Sequence, residues 1–282
     1  MILIADSGST KTTWVLTEDG VVKNRIETAG LNPYFHTSES VEAVLMADVE
    51  PYITGDHVRE VHFYGAGCST ENNDRMIREA LALIFRKAEI GIWHDILGAA
   101  RALFGHSRGI AGILGTGCNS CYYDGQSVHM GVDSLGYLFG DEGAGSYLGK
   151  QLLGRYLKKQ LPEDLKIAFD DHYGLTLEDI LNALYNRPFP NRFLASFSHF
   201  LAPRQEHPVI RKMIKDSFLA FFEAQIHHYP DYQTLQVSFT GSIAWYYRLL
   251  LTETAEEKGV TIGTIMKDPM EGLLRFHCPK GN

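Results

Sequence analysis

The chain has 282 residues, and none of its apolar runs approaches the ~20 residues that a membrane-spanning helix needs. The first residues enter an apolar strand pattern directly, with no basic stretch and small-residue cleavage site, so no signal peptide is expected and a cytoplasmic protein is. Cysteine is scarce. Cys68, Cys118, Cys121 and Cys278 are too few for a disulfide framework in a chain of this length. Positive charge is also short: 26 Lys and Arg against 34 Asp and Glu give a formal charge of −8, which argues against non-specific nucleic-acid binding. There is no G-x-x-x-x-G-K-[ST], so no P-loop, and no H-R-D or D-F-G set of a protein kinase. No G-x-G-x-x-G follows the first strand. Twelve histidines contain no H-E-x-x-H, and His227-His228 reads as a helix surface.

Glycine-rich turns between strands are present. Met1 to Ala5 is an apolar run, followed by Asp6-Ser7-Gly8-Ser9-Thr10-Lys11-Thr12-Thr13 and a second run from Trp14 to Leu16. This reads as strand, turn, strand. Backbone N–H groups and a cation in such a turn can hold phosphate oxygens, and Asp6 can hold Mg²⁺ through its water shell. An ordinary polar hairpin turn accounts for the same residues. The pattern returns at Ile110 to Leu114, then Gly115-Thr116-Gly117-Cys118-Asn119-Ser120. It returns again at Val237 to Thr240, then Gly241-Ser242. Glycine sits where a backbone turns sharply or approaches a ligand closely.

Between these turns the periodicity predicts helices over 40–52 and 70–87 and strands over 58–64 and 90–93. The last strand delivers His94-Asp95. Ile96, Ala99, Ala100, Leu103 and Phe104 then recur at helical spacing. Further helices are expected over 145–159 and 213–228, the latter with Ile214, Phe218, Phe221, Phe222 and Ile226 as a core stripe. Residues 160–210 read as mostly helical, with Pro188 and Pro190 in a loop. A turn and then a helix are expected around Asp268-Pro269, with Pro in the first turn.

Three glycine turns in this order resemble the nucleotide clamp of the actin and hexokinase superfamily. Within it the chain resembles the N-acetylglucosamine kinase branch of the BadF/BcrA-type ATPases. The closer match lies in Asn32 of "AGLNPYF", Asp95 of "HDILGAARALFG", and "GVDSLGYLFGDEGAGSYLGKQLL" from Gly131 to Leu153. The resemblance implies an α/β fold of two actin-like, ribonuclease H-like domains with a nucleotide and sugar cleft between them. They would span 1–108 and 109–282, with the last helix, about 268–278, returning to the first. It implies ATP and Mg²⁺ as cofactors, and phosphorylation of N-acetylglucosamine to its 6-phosphate. A small-molecule sugar is the implied partner, with neither nucleic acid nor membrane, in a homodimer.

Carried over residue by residue, the nucleotide would meet Asp6, Gly8, Ser9, Thr10, Lys11, Thr12, Gly115, Thr116, Gly117, Gly241 and Ser242, with Asp6 at the metal. The sugar would meet Asn32, Asp95, Cys118, Asn119, Gly136 and Asp141, and Asp95 would be the general base. Asp95 opens a helix, so an N-cap is the other reading of it; a helix N-terminus also stabilises a carboxylate as the anion. Asp141 and Ser146 likewise precede a helix and can cap it. The family commonly has a Trp or another aromatic near Gly136. This chain has Ser134, Leu135 and Tyr137. Cys118-x-x-Cys121 is open to a metal or redox reading. A different function within the wider family is an ATPase that activates a 2-hydroxyacyl-CoA dehydratase or benzoyl-CoA reductase, where two Cys per chain share an iron–sulfur cluster.

Overall fold

A computed structural model describes residues 1–279. The first sheet is built from β1 (Ile2–Ser7), β2 (Lys11–Glu18), β3 (Val21–Ala29), β4 (Glu60–Gly65) and β5 (Glu89–His94), in the order β3-β2-β1-β4-β5. β1 pairs antiparallel with β2 and parallel with β4. As the central strand it is covered on both faces, which is why Leu3, Ile4 and Ala5 form an unbroken buried run rather than alternating with polar residues. β2 and β3 join through Asp19 and Gly20, whose φ values of 51° and 75° suit a two-residue type I′ hairpin turn.

Helices α1 (Ser38–Asp48), α2 (Glu71–Ile84) and α3 (Asp95–Phe104) belong to this half. Thr37 caps α1 and Thr70 caps α2 through side-chain oxygens. Both helices stop short of the expected C-terminal ends, at Asp48 and Ile84, because hydrophobic spacing runs on past the last helical turn. One core cluster gathers Trp14, Leu45, Phe63, Leu81 and Phe85.

The second sheet runs β10-β9-β6-β7-β8, with β6 (Gly109–Leu114), β7 (Cys118–Tyr123), β8 (Val128–His129), β9 (Gln236–Thr240) and β10 (Thr261–Met266). Nine helices follow the turn after β8: α4 (Gly136–Phe139), α5 (Gly145–Leu157), α6 (Glu163–Tyr173), α7 (Leu177–Tyr185), α8 (Pro190–Ser196), α9 (Ser198–Leu201), α10 (Pro208–Ala224), α11 (Ser242–Tyr246) and α12 (Arg248–Glu257). Last comes α13 (Met270–His277). Two expectations are corrected here. Pro190 is not in a loop but opens α8, where its missing N–H costs nothing. The residues before Asp268-Pro269 form a strand, β10, rather than a turn. The α10 stripe of Phe218, Phe221 and Phe222 is fully buried.

Contacts gather the chain into two compact units, neither of them continuous. One comprises Met1–Gly112, Cys121–His129 and the chain from Asp268; the other comprises Ile113–Ser120 and Met130–Lys267. The expected division at 108/109, with the last helix returning to the first domain, did not include the passage of residues 121–129 into the first unit. The Tyr123 hydroxyl lies 3.0 Å from the Gly105 carbonyl oxygen and 2.9 Å from that of Gly125, and so holds the β7–β8 hairpin in the first unit. α13 packs on α3 and β1 in that same unit.

Candidate active site

In the first unit the β1–β2 turn is tighter than its composition suggests. β1 runs through Ser7 and β2 begins at Lys11, so Asp6, Ser7, Lys11 and Thr12 are strand residues and only Gly8, Ser9 and Thr10 make the turn. The Gly8 N–H donates to the Lys11 carbonyl at 3.0 Å. Ser7 and Thr12 hydroxyls lie 2.7 Å apart, Ser7 accepts from Leu31 N–H at 3.0 Å, and Thr12 donates to the Ala29 carbonyl at 3.1 Å. Thr12 is fully buried, so its hydroxyl fixes the turn against the segment after β3 rather than reaching outward. Gly30 closes this junction: a Cβ there would lie 2.3 Å from the Gly8 carbonyl oxygen.

The Lys11 side chain is about half exposed and pairs with Glu27 at 2.7 Å. Such surface pairs are worth about 0–1 kcal/mol, so the ammonium can be recruited by a stronger anion at small cost. Asn32 is buried. Its Oδ1 accepts from Tyr34 N–H at 3.0 Å and its Nδ2 donates to Ser9 Oγ at 3.4 Å, which ties the Asn to the turn.

Asp95 is the first residue of α3, but it is not the cap. His94 is, with Nδ1 as acceptor 3.3 Å from the Ile96 N–H. The N-cap reading of Asp95 therefore falls one residue short, and its carboxylate is left for other contacts. Burial pushes the Asp6 carboxyl up to about 7, with the charges of Asp95 and Asp268 adding to the effect and Lys11 opposing it. Asp268, in the residues just before α13, is the acid that sequence reasoning read only as a helix start. The signal for it was there: an acid ahead of Pro at the end of an apolar strand.

In the second unit the turn between β6 and β7 is docked onto a helix. Gly145 N–H donates to the Gly115 carbonyl at 2.9 Å and Ser146 N–H to that of Thr116 at 3.0 Å. The first amides of α5 are thereby spent on the turn. Gly241 sits against the same turn. Its φ is +117°, and a Cβ would fall 2.2 Å from the Leu114 carbonyl oxygen and 3.1 Å from Gly115 N. Two of the three glycine turns are in contact for this reason, and Ser242 next to them is exposed at the start of α11.

Asp141 is a left-handed residue with φ 63°. Its Oδ1 accepts from Cys118 N–H and its Oδ2 from Ser146 Oγ, both at 3.0 Å. Burial outweighs these bonds and raises its pKa. A Cβ at residue 117 would stand 2.8 Å from this carboxylate, so Gly117 leaves room for it. Asp141 and Cys118 line a cavity of about 320 Å³ with Leu135, Phe139, Glu142 and Gln225. Asn119 is not in that lining. Successive strand residues point to opposite faces, so β7 cannot turn both Cys118 and Asn119 to the cavity; Asn119 Oδ1 instead accepts from Ser120 N–H at 2.9 Å. Gly136 has φ +64° with open space beside it, and it too is outside the lining.

The same strand period separates Cys118 from Cys121, which lie three residues apart and on opposite faces. All four cysteines are free thiols. Among the described residues no group of three or more His, Cys, Asp or Glu is placed to hold a metal ion, and no helix is long and apolar enough to cross a membrane.

The chain is similar to a solved structure of a candidate N-acetylglucosamine kinase from Porphyromonas gingivalis, with 42% identity over 99% of both chains and a TM-score of 0.94. A candidate N-acetylglucosamine kinase from Chromobacterium violaceum shares the fold at 17% identity, 98% coverage of both chains and a TM-score of 0.71. A ROK family transcriptional regulator shares it more distantly, at 11% identity and a TM-score of 0.53 over 97% of this chain and 78% of the regulator. No protein-family model and no curated protein matches.

Proposed function

The chain belongs to the N-acetylglucosamine kinase branch of the actin-like sugar kinases, and on that premise we propose that it transfers the γ-phosphoryl group of ATP to the 6-hydroxyl of N-acetylglucosamine. The observation that carries this reading is 42% identity sustained over 99% of both chains. The fold alone would not, since it also serves a transcriptional regulator.

Asp95 would accept the proton of the attacking hydroxyl. Its place at the first turn of α3 stabilises the carboxylate as the anion, and general-base help of this kind is worth ~10²–10⁴ in rate. The Gly8 and Gly115 amides close their own turns; the later N–H groups of the Gly8–Thr10 and Gly115–Gly117 turns are suited to phosphate oxygens, and Gly241 and Ser242 to the nucleoside. Asp141 retains unused lone pairs on both oxygens and can accept from sugar hydroxyls in the cavity it lines. Asn32, buried in the first unit, carries an amide that can also bond sugar hydroxyls.

Asp6 fits Mg²⁺. Its carboxyl is raised by neighbouring carboxylates as well as by burial, a field that a divalent cation would reverse. With no cluster of three ligands among the described residues, the fit is to an ion that keeps most of its waters and binds chiefly to phosphates. When bound, Mg²⁺ neutralises charge on the transferred group.

ADP release with Mg·ATP across a panel of hexoses and amino sugars tests the reading, with Asp95→Asn beside the wild type. Rapid turnover with N-acetylglucosamine that falls by ~10²-fold or more in the variant is expected. ATP hydrolysis indifferent to every sugar would overturn it, and iron in the purified protein would turn attention to an activator ATPase.

A further inference from the structure

Glu142 is a carboxylate in the cavity wall of the second unit, one residue after Asp141. It is half-buried and makes neither a hydrogen bond nor an ion pair. Asp141 differs, since each of its oxygens already accepts one hydrogen bond, from Cys118 N–H and from Ser146. Among the described residues no Lys or Arg lines this cavity, and His228 is the basic side chain in its wall. Lys150 is near enough for its charge to act on Asp141, but its ammonium donates to the Tyr137 carbonyl at 3.1 Å and it is not in the wall. The Cys118 thiol, raised by burial and by both acids, adds no cation either. Two adjacent carboxylates thus set the sign of the field in about 320 Å³ of space, and one of them has its full set of lone pairs to offer.

The rest of the wall is apolar. Leu135, Phe139 and Ala224 suit the methyl of an acetamide better than a sugar hydroxyl, and the 6-hydroxyl has to remain with the phosphoryl donor. We propose that Glu142 selects the substrate by the charge of its nitrogen substituent: the carboxylate accepts from the N–H of an amide or an ammonium, and with Asp141 it refuses an anionic group. The substrate class is then the neutral and cationic amino sugars. This rests on the sugar-kinase reading and on Asp141 as a ligand of the sugar. An anionic substituent entering the cavity gives up its water and meets two like charges, with no Lys or Arg in the wall to offset them. A neutral amide meets no such repulsion, and an ammonium is attracted.

N-propionylglucosamine and N-oxalylglucosamine test this in the full chain, because their acyl groups are alike in size and differ in charge. In the wild type kcat/KM for the propionyl sugar should exceed that for the oxalyl sugar by ~10²-fold, the size of a like-charge penalty of a few kcal/mol. Glu142→Gln keeps an acceptor oxygen and removes the charge, so that ratio should narrow by about tenfold or more. The ratio of the two dissociation constants, measured by calorimetry without ATP, should narrow with it. Glucosamine, the cationic probe, should bind about tenfold more weakly in the variant. Melting temperatures establish that the variant is folded. If the wild type takes both acyl sugars equally, or if folded Glu142→Gln keeps the wild-type ratio, this inference fails and the kinase reading stands. If the wild type neither binds nor phosphorylates any amino sugar, the kinase reading itself fails.

Discussion

At Gly241 a side chain meets two penalties at once. The left-handed φ costs roughly 1–3 kcal/mol for a residue with a Cβ, and that Cβ would lie 2.2 Å from a backbone oxygen that cannot move aside cheaply. Gly241→Ala should therefore lower the melting temperature clearly, while Gly154→Ala, with open space at that position, should leave it unchanged or raise it slightly; paired thermal melts decide this. Thiol reactivity offers a second check. Burial, with the charges of Asp141 and Glu142 adding to it, raises the Cys118 thiol well up, and burial pushes that of Cys121 up to about 12. Cys68 is buried as well. Titration of the folded protein with a thiol reagent at pH 8 should thus give one fast group, the partly exposed Cys278, and all four only after denaturation. Single residues were legible where composition names a constraint, as at Gly117 and Gly241. They were illegible where strand parity decides. That Cys118 faces the cavity and Asn119 does not depends on register, which a run of small polar residues conceals.

α13 is attached to the first unit by one polar chain. Arg101 Nη1 donates to the Tyr64 hydroxyl at 2.8 Å, and that hydroxyl reaches His277 Nε2 at 2.8 Å. Having accepted from Arg101, the Tyr64 hydroxyl spends its proton on His277, which requires Nε2 to be bare and the ring neutral. Burial, the stacked His62 ring and Arg101 all lower the His277 pKa, to about 3. The ordinary histidine value is near ~6.5, so between these limits the unfolded chain binds a proton that the folded chain refuses. Stability falls as pH drops through this window, with at most ~1.4 kcal/mol per pH unit from this group. Urea melts from pH 7.5 to 4.5 should show that slope, and His277→Gln should flatten it. α3 and α10 were legible because their apolar spacing is unambiguous. α8 and β10 were not: a Pro reads alike in a loop and at a helix start, and Gly263 interrupts the strand pattern of β10.

At the scale of the molecule, ligand linkage tests the assignment of the metal residue. A ligand bound by the native state alone at 100 times its Kd adds about 2.7 kcal/mol. Mg²⁺ with ADP should therefore raise the melting temperature, and the part of the rise that needs Mg²⁺ should be lost in Asp6→Ala. The class of fold was legible from the order of three glycine turns. The discontinuity of its units was only partly expected: the return of the last helix came from the resemblance and from nothing local in "KDPMEGLL", and the inclusion of residues 121–129 in the first unit left no sign in the sequence.

That discontinuity sets an order of events during synthesis. Ile4, Val15, Tyr64 and Ala102 form a core with Met270 and Leu273, and Gly272 lets α13 approach α3 so closely that a Cβ would lie 2.4 Å from the Ala102 carbonyl oxygen. The residues that begin this core leave the ribosome long before those that complete it. At roughly 5–20 residues per second, the face of β1 and α3 stays bare for some tens of seconds. The first sheet to be made is the last to be sealed, and the nascent chain spends that interval as a client for whatever binds exposed apolar surface.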